Sequence, residues 1–139
     1  MPRDSKLPAM ERLAMMASGV AGFLAVALGA FGAHGLRTRF EALPDATKRL
    51  EWWGTAAHYH LVHALALGLV AVFASRVTST ALGVATWAFL AGIVLFSGSL
   101  YVMSLTGVRA LGAVTPLGGL AFLVGWASIA WTAWRLHAA

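Results

Sequence analysis

Leu13 to Ala33, LAMMASGVAGFLAVALGAFGA, carries no charged side chain. At about 1.5 Å of rise per residue it is as long as a bilayer's hydrocarbon core is thick, about 30 Å. The stretch reads as a membrane span. Arg3, Lys6 and Arg12 precede it, as basic residues precede a cleaved signal peptide, but the apolar run exceeds the roughly 7 to 15 residues of a signal core. A retained span is therefore expected.

Composition extends that reading to the whole chain of 139 residues. It is 60% hydrophobic and 11% charged, against roughly 45 to 50% and 25% in a soluble domain, and its mean hydropathy is +0.78. A soluble fold of this size could not hide that much apolar surface. The formal charge is +5, but the basic residues lie between apolar runs, so anionic lipid headgroups are the expected counterion. No cluster of Lys and Arg with interleaved aromatics exists to track a nucleic acid, and no nucleic-acid partner is expected.

Outward from the first span, His34 to Glu51 collects Arg37, Arg39, Glu41, Asp45, Lys48, Arg49 and Glu51, and must lie outside hydrocarbon. Pro44 and Asp45 suit a helix start, so a short interfacial helix over about 44–52 should lead into a second span at 53–74. Trp52 and Trp53 fit an aromatic belt. A turn at Ser75 to Ser79 precedes a third span at 80–104. Thr115 and Pro116 open a fourth at 116–135, which Trp131 and Trp134 close at the far interface. The expected fold is all-α: a single transmembrane domain, 1–139, built as an antiparallel bundle of four transmembrane helices.

Both termini then share one side, A, with Arg3, Lys6, Arg12, Arg76 and Arg135. Side B holds Arg37, Arg39, Lys48, Arg49 and Arg109. Five basic residues face five, so the positive-inside rule assigns no orientation.

Ionisable side chains inside a span are costly and are functional candidates by default. The second span carries His58-Tyr59-His60-Leu61-Val62-His63. Measured from Trp53, His58 lies about 7 Å below the interface and His63 about 15 Å, near the midplane. At 100° per residue His60 and His63 are about 60° apart and could approach one ligand, whereas His58 and His60 are about 160° apart and cannot share a metal. The third span returns to side B with Ser97, Ser99, Tyr101 and Ser104; Thr115 opens the fourth there, and His34 closes the first. The candidate ligand-binding or polar-network residues are His34, Tyr59, His60, His63, Ser97, Ser99, Tyr101 and Thr115.

A metal or haem would draw on His34, His60 and His63, since the chain has no cysteine and no span holds a carboxylate; no cofactor is expected. The serines lack a carboxylate partner for a triad, and hydrolase-elbow, phosphate-loop and zinc-protease motifs are absent. Nothing in the sequence defines a catalytic residue or a reaction. Small residues at Ser18, Gly22, Ala25, Gly29 and Ala33 mark one face of the first span, with Gly118, Gly119 and Gly125 in the fourth and Ala85, Ala88 and Gly92 in the third. These faces suit close helix packing or a homo-oligomer interface.

Several blocks carry a resemblance. They are Gly29-Ala30-Phe31-Gly32-Ala33-His34-Gly35; Tyr59 with His63-Ala64-Leu65-Ala66-Leu67; Leu95-Phe96-Ser97-Gly98-Ser99-Leu100-Tyr101; and Thr115-Pro116-Leu117-Gly118-Gly119 through Gly125-Trp126. In this order the chain resembles a family of small membrane proteins classed as a domain of unknown function, which includes the bacterial inner-membrane protein YgdD and related animal transmembrane proteins. The resemblance implies a four-helix fold and a bacterial inner-membrane address, and brings no activity. The expected role is that of a structural or accessory membrane component, alone, as a homo-oligomer or in a larger membrane complex. The alternatives are a protein that binds or transports a small molecule, quinone or lipid, and a His-ligated metal or haem protein.

Overall fold

The structure, a computed structural model, describes residues 9–137; Arg3 and Lys6, which enter the basic-residue count, lie outside them. Helix α1 (Ala9–Phe31) continues through a π-helical turn, Gly32–Leu36, into the short α2 (Arg37–Phe40). Helix α3 (Ala46–Ala74) is unbroken. Helix α4 (Thr80–Gly92) passes through a second π-helical turn, Ile93–Ser97, into α5 (Gly98–Thr106). A 3-10 turn, Arg109–Ala113, precedes α6 (Thr115–His137). The chain thus forms four helical stretches long and apolar enough to cross a membrane, Ala9–Phe40, Ala46–Ala74, Thr80–Thr106 and Arg109–Leu136. Among the described residues there is no strand.

Each span packs against the next in sequence, as short connections between antiparallel helices dictate. Spans two and three form the centre, and spans one and four flank them. The most apolar windows of the inner pair are 44% and 50% buried, while those of the outer pair are 17% buried. The outer spans accordingly turn Phe23, Val26, Leu123 and Trp134 outward. Such a surface would be a liability in water, but lipid tails are as apolar as these side chains.

Two apolar cores follow. The side A half and the middle are filled by Ala14, Ala21, Leu67, Val70, Leu82, Phe89 and Phe122, and the side B half by Leu36, Phe40, Trp53, Leu100, Tyr101 and Met103. Spans three and four interlock at glycine: a Cβ at Gly118 would fall on the backbone nitrogen of Phe96. In span one the small-residue face is only partly used. Ala25 is buried against the core, but at Gly22 and Gly29 a Cβ would meet nothing within 4 Å. Close packing accounts for the first residue and not for the two glycines.

Two helix starts use their polar residues differently from the local signals. Asp45 occupies the N-cap of α3 without a side-chain cap, because its carboxylate accepts from Arg49 Nε at 2.8 Å. The Thr115 hydroxyl reaches span three, 2.8 Å from Ser99 Oγ.

Candidate functional site

The side B half of the protein is tied together by polar side chains that cross between spans. At the membrane surface Arg49 Nη1 donates to the carbonyls of Ser104 and Leu105, at 3.1 and 3.2 Å. Ser104 Oγ donates back to the Arg49 carbonyl at 2.8 Å. These carbonyls belong to the last turn of α5, which has no partners within its own helix, so the guanidinium satisfies groups that the helix cannot. Gly107 ends that helix in the left-handed conformation, φ 75°. Besides that backbone requirement, a Cβ there would collide with the Arg49 guanidinium.

One turn further in, Trp53 is buried rather than belted at the interface. Its Nε1 donates to the Leu28 carbonyl of span one at 2.8 Å, and its indole lies where a side chain on Gly32 would stand. The Trp53 and Tyr101 ring centroids are 4.6 Å apart. His60 is buried on the same side, with Nδ1 3.4 Å from the Tyr101 hydroxyl. Ser99 donates to the Phe96 carbonyl at 3.0 Å. Its single proton being used there, Thr115 is the donor in the bond between their hydroxyls.

His63 faces the other way, toward span four. Its Nδ1 lies 2.7 Å from the Tyr59 carbonyl and its Nε2 3.2 Å from Trp126 Nε1. A carbonyl only accepts and an indole N–H only donates, so these partners assign the hydrogen to Nδ1 and the lone pair to Nε2. The Phe122 ring stacks on the imidazole, with centroids 3.4 Å apart and planes 8° from parallel. Tyr59 packs on Phe96 at 4.5 Å. Together His58, Tyr59, His63, Phe96, Gly119, Phe122 and Trp126 line a groove of about 480 Å³ between spans two and four, open to the outside.

The structure thus divides the eight sequence candidates. Tyr59 and His63 meet at the groove, His60 and Tyr101 meet at the contact of spans two and three, and Ser99 meets Thr115. His34 is exposed on span one, apart from the others. Ser97 is fully buried within the π-helical turn of span three, and its hydroxyl has no hydrogen-bond partner. His60 and His63, which a helical wheel brings near one another, are drawn to different neighbouring spans. Among the described residues no three His or carboxylate side chains gather as a metal site.

Sequence reasoning missed Arg49, Trp53, Phe96, Phe122 and Trp126. Arg49 was legible only as one charge in a charged segment, Trp53 as a belt residue, Phe96 and Trp126 as parts of the blocks that carry the resemblance, and Phe122 only as an apolar residue of a span. Phe122 and Trp126 do stand one turn apart, a spacing that could have flagged a common face. Chemically the arrangement joins helices: the Ser99, Ser104 and Thr115 hydroxyls bond to carbonyls or to each other, and the His63 lone pair is taken up by an indole.

The Asp45 and Arg49 pair lies at the start of α3, outside the apolar part of the span, and has a pH signature. The hydrogen bond from Arg49 holds the Asp45 carboxyl below its ordinary value. A depressed carboxylate contributes stability that is present above its unfolded value and is lost as pH falls through the folded one. Melting temperature in detergent should therefore decline as pH drops below about 4, and Asp45→Asn should flatten part of that decline. An identical acid limb in the variant would show the pair to be silent.

Four antiparallel apolar helices joined by buried polar contacts define a polytopic α-helical membrane protein. The chain belongs to the family described as "Protein of unknown function (DUF423)", whose model matches residues 28–119. It is similar to membrane protein YwdK of Bacillus subtilis, 50% identical over 107 residues that cover 76% of this chain and 83% of that protein. It is also similar to a membrane protein of Haemophilus influenzae, 41% identical over 84% of this chain and 89% of the other. The inner membrane protein YgdD of Escherichia coli is 40% identical over 84% of this chain and 86% of its own length. No solved structure matches the chain.

Proposed function

We propose that the protein is a non-catalytic structural or accessory component of the bacterial inner (plasma) membrane. One observation carries this reading. Four sets of polar contacts in and beside the side B half run between spans: Arg49 with Ser104 and Leu105, Trp53 with Leu28, Ser99 with Thr115, and His63 with Trp126. Such contacts fix the helices relative to one another, each contributing about 0.6 to 2 kcal/mol. They leave the outer faces of spans one and four apolar and available to a neighbouring helix. Purification in mild detergent from native membranes should recover the chain with a stoichiometric partner, either another membrane protein or further copies of itself. A monomer with no partner, by cross-linking and light scattering alike, would end this reading.

The aromatic groove favours a second reading, in which a lipophilic small molecule occupies it. Its size falls in the range of ligand pockets, about 300 to 1,000 Å³, and rings form most of its walls. An organic extract of the purified protein should then contain a non-protein molecule that is missing from Gly119→Leu, and matching extracts would defeat the idea.

A further inference from the structure

A second groove lies between spans one and two, at the side B end. It has a volume of about 400 Å³ and is lined by Gly29, Gly32, Gly54, Ala57, Trp53 and Arg37, among others. Glycine on a membrane helix ordinarily permits a neighbouring helix to come close. That explanation fails here for two of the three, because a Cβ built on Gly29 or Gly54 meets no atom within 4 Å. The third, Gly32, is covered by the Trp53 indole, which its bond to Leu28 holds in place as a wall. Spans one and two do meet at Trp53, on Gly32 and Leu28, and again nearer side A, where a Cβ on Gly68 would lie 3.0 Å from Ser18 Oγ. Gly29 and Gly54 leave room that no described residue of this chain fills.

The π-helical turn at Gly32–Leu36 determines what stands over that room. In a regular α-helix each step of four residues advances about 40° beyond a full turn, so Gly29, Ala33 and Arg37 would drift about 80° around the helix. The wider winding of a π turn cancels much of the second step, and Arg37 lines the groove beneath which Gly29 and Ala33 lie. Charge at this end is unbalanced. Lys48 pairs with Glu51 and Arg49 with Asp45, which leaves Arg37, Arg39 and Arg109 with Glu41 as the remaining charges of side B.

We propose that this groove binds one anionic phospholipid, an acyl chain lying along the glycines and the phosphate resting on the Arg37 guanidinium. Apolar walls below a cation match an amphiphile that enters from the bilayer. A zwitterionic headgroup brings its own ammonium to a site that already has a surplus of positive charge, so the net-negative lipid is preferred.

Native mass spectrometry of the full chain, equilibrated in micelles holding equal phosphatidylglycerol and phosphatidylethanolamine of identical chains, tests the assignment. One bound lipid is expected, with phosphatidylglycerol favoured about fivefold, the factor one arginine near an anionic headgroup provides. Arg37→Gln should bring the two lipids to parity. Gly54→Leu, whose side chain enters open space, should abolish retention of either lipid while leaving the melting temperature in place. Equal retention by the unaltered protein, or a preference that survives Arg37→Gln, overturns the proposal. So does displacement of the lipid by millimolar inorganic phosphate, which would assign the groove to a free anion. Conversion of a dimer to a monomer by Gly54→Leu would instead make the groove an interface between copies. The lipid outcomes are independent of whether a stoichiometric protein partner is recovered, whereas a dimer lost in Gly54→Leu would overturn the lipid assignment and identify that partner as a second copy.

Discussion

Arg49→Ala is expected to lower the melting temperature of the detergent-solubilised protein by on the order of 10 °C, the equivalent of about 2 to 4 kcal/mol in a chain of this size. The side chain is 13% exposed and serves several elements at once. It donates to Asp45 on its own helix and to the Ser104 and Leu105 carbonyls at the end of span three, and it lies 5.8 Å from the centre of the Phe40 ring at the end of α2. Removing it strands two carbonyls of a helix terminus and frees the linker between spans one and two. Arg49→Lys separates charge from geometry: an ammonium can reach Asp45 or one carbonyl, but it lacks the planar fork that serves several acceptors together. Its melting temperature should fall between those of the parent and the alanine variant. A lysine variant as stable as the parent would reduce Arg49 to a surface charge.

Gly118→Ala is expected to be the most damaging single methyl in the chain, and Gly119→Ala to be tolerated. At Gly118 the added carbon would lie on the Phe96 nitrogen, 2.7 Å from its Cβ and 2.8 Å from its Cα. Backbone cannot rotate away as a side chain can, so spans three and four must separate. Overpacking of this kind costs about 1 to 3 kcal/mol. At Gly119 the nearest atoms, on the Phe96 ring, are 3.9 Å away, which is ordinary contact. There alanine gains up to about 1 kcal/mol of helix propensity over glycine. Melting curves and yields of monodisperse protein for the two variants, side by side, check the contrast. Equal behaviour would mean that the spans do not meet at Gly118.

The apolar runs needed no tertiary information to be read. Length against bilayer thickness identifies a span, and helices α3 and α6 begin beside Pro44 and Pro116, although the Asp45 and Thr115 side chains bond to Arg49 and Ser99. The candidate site was legible in type but not in pairing. Helical periodicity puts His58 and His60 on opposite faces, in keeping with an exposed His58 and a buried His60. It also brings His60 and His63 near one another on a single wheel, yet each is claimed by a different span, one through Tyr101 and the other through Trp126. Side chains one turn apart on a helix that has neighbours on two sides need not share a partner.

Trp53 shows the same limit more sharply. A tryptophan at the edge of an apolar run is ordinarily a belt residue. Here span one supplies a free face at Gly32 and a carbonyl at Leu28, and both come from residues more than twenty positions away. The π-helical turns leave no composition signal of their own, although one carries Arg37 toward a groove and the other encloses Ser97.

The sequence by itself determined that this chain is a four-span helical membrane protein with its polar groups concentrated toward one face. Those properties depend on the solvent each segment can tolerate, which is set residue by residue. Only the tertiary structure decided that the middle spans form the core, that Arg49 closes the end of span three, that His63 is held by Trp126, and that grooves form between spans two and four and between spans one and two. Each of these depends on which helix stands beside which, and neighbours in space are fixed by the joint packing of all four helices.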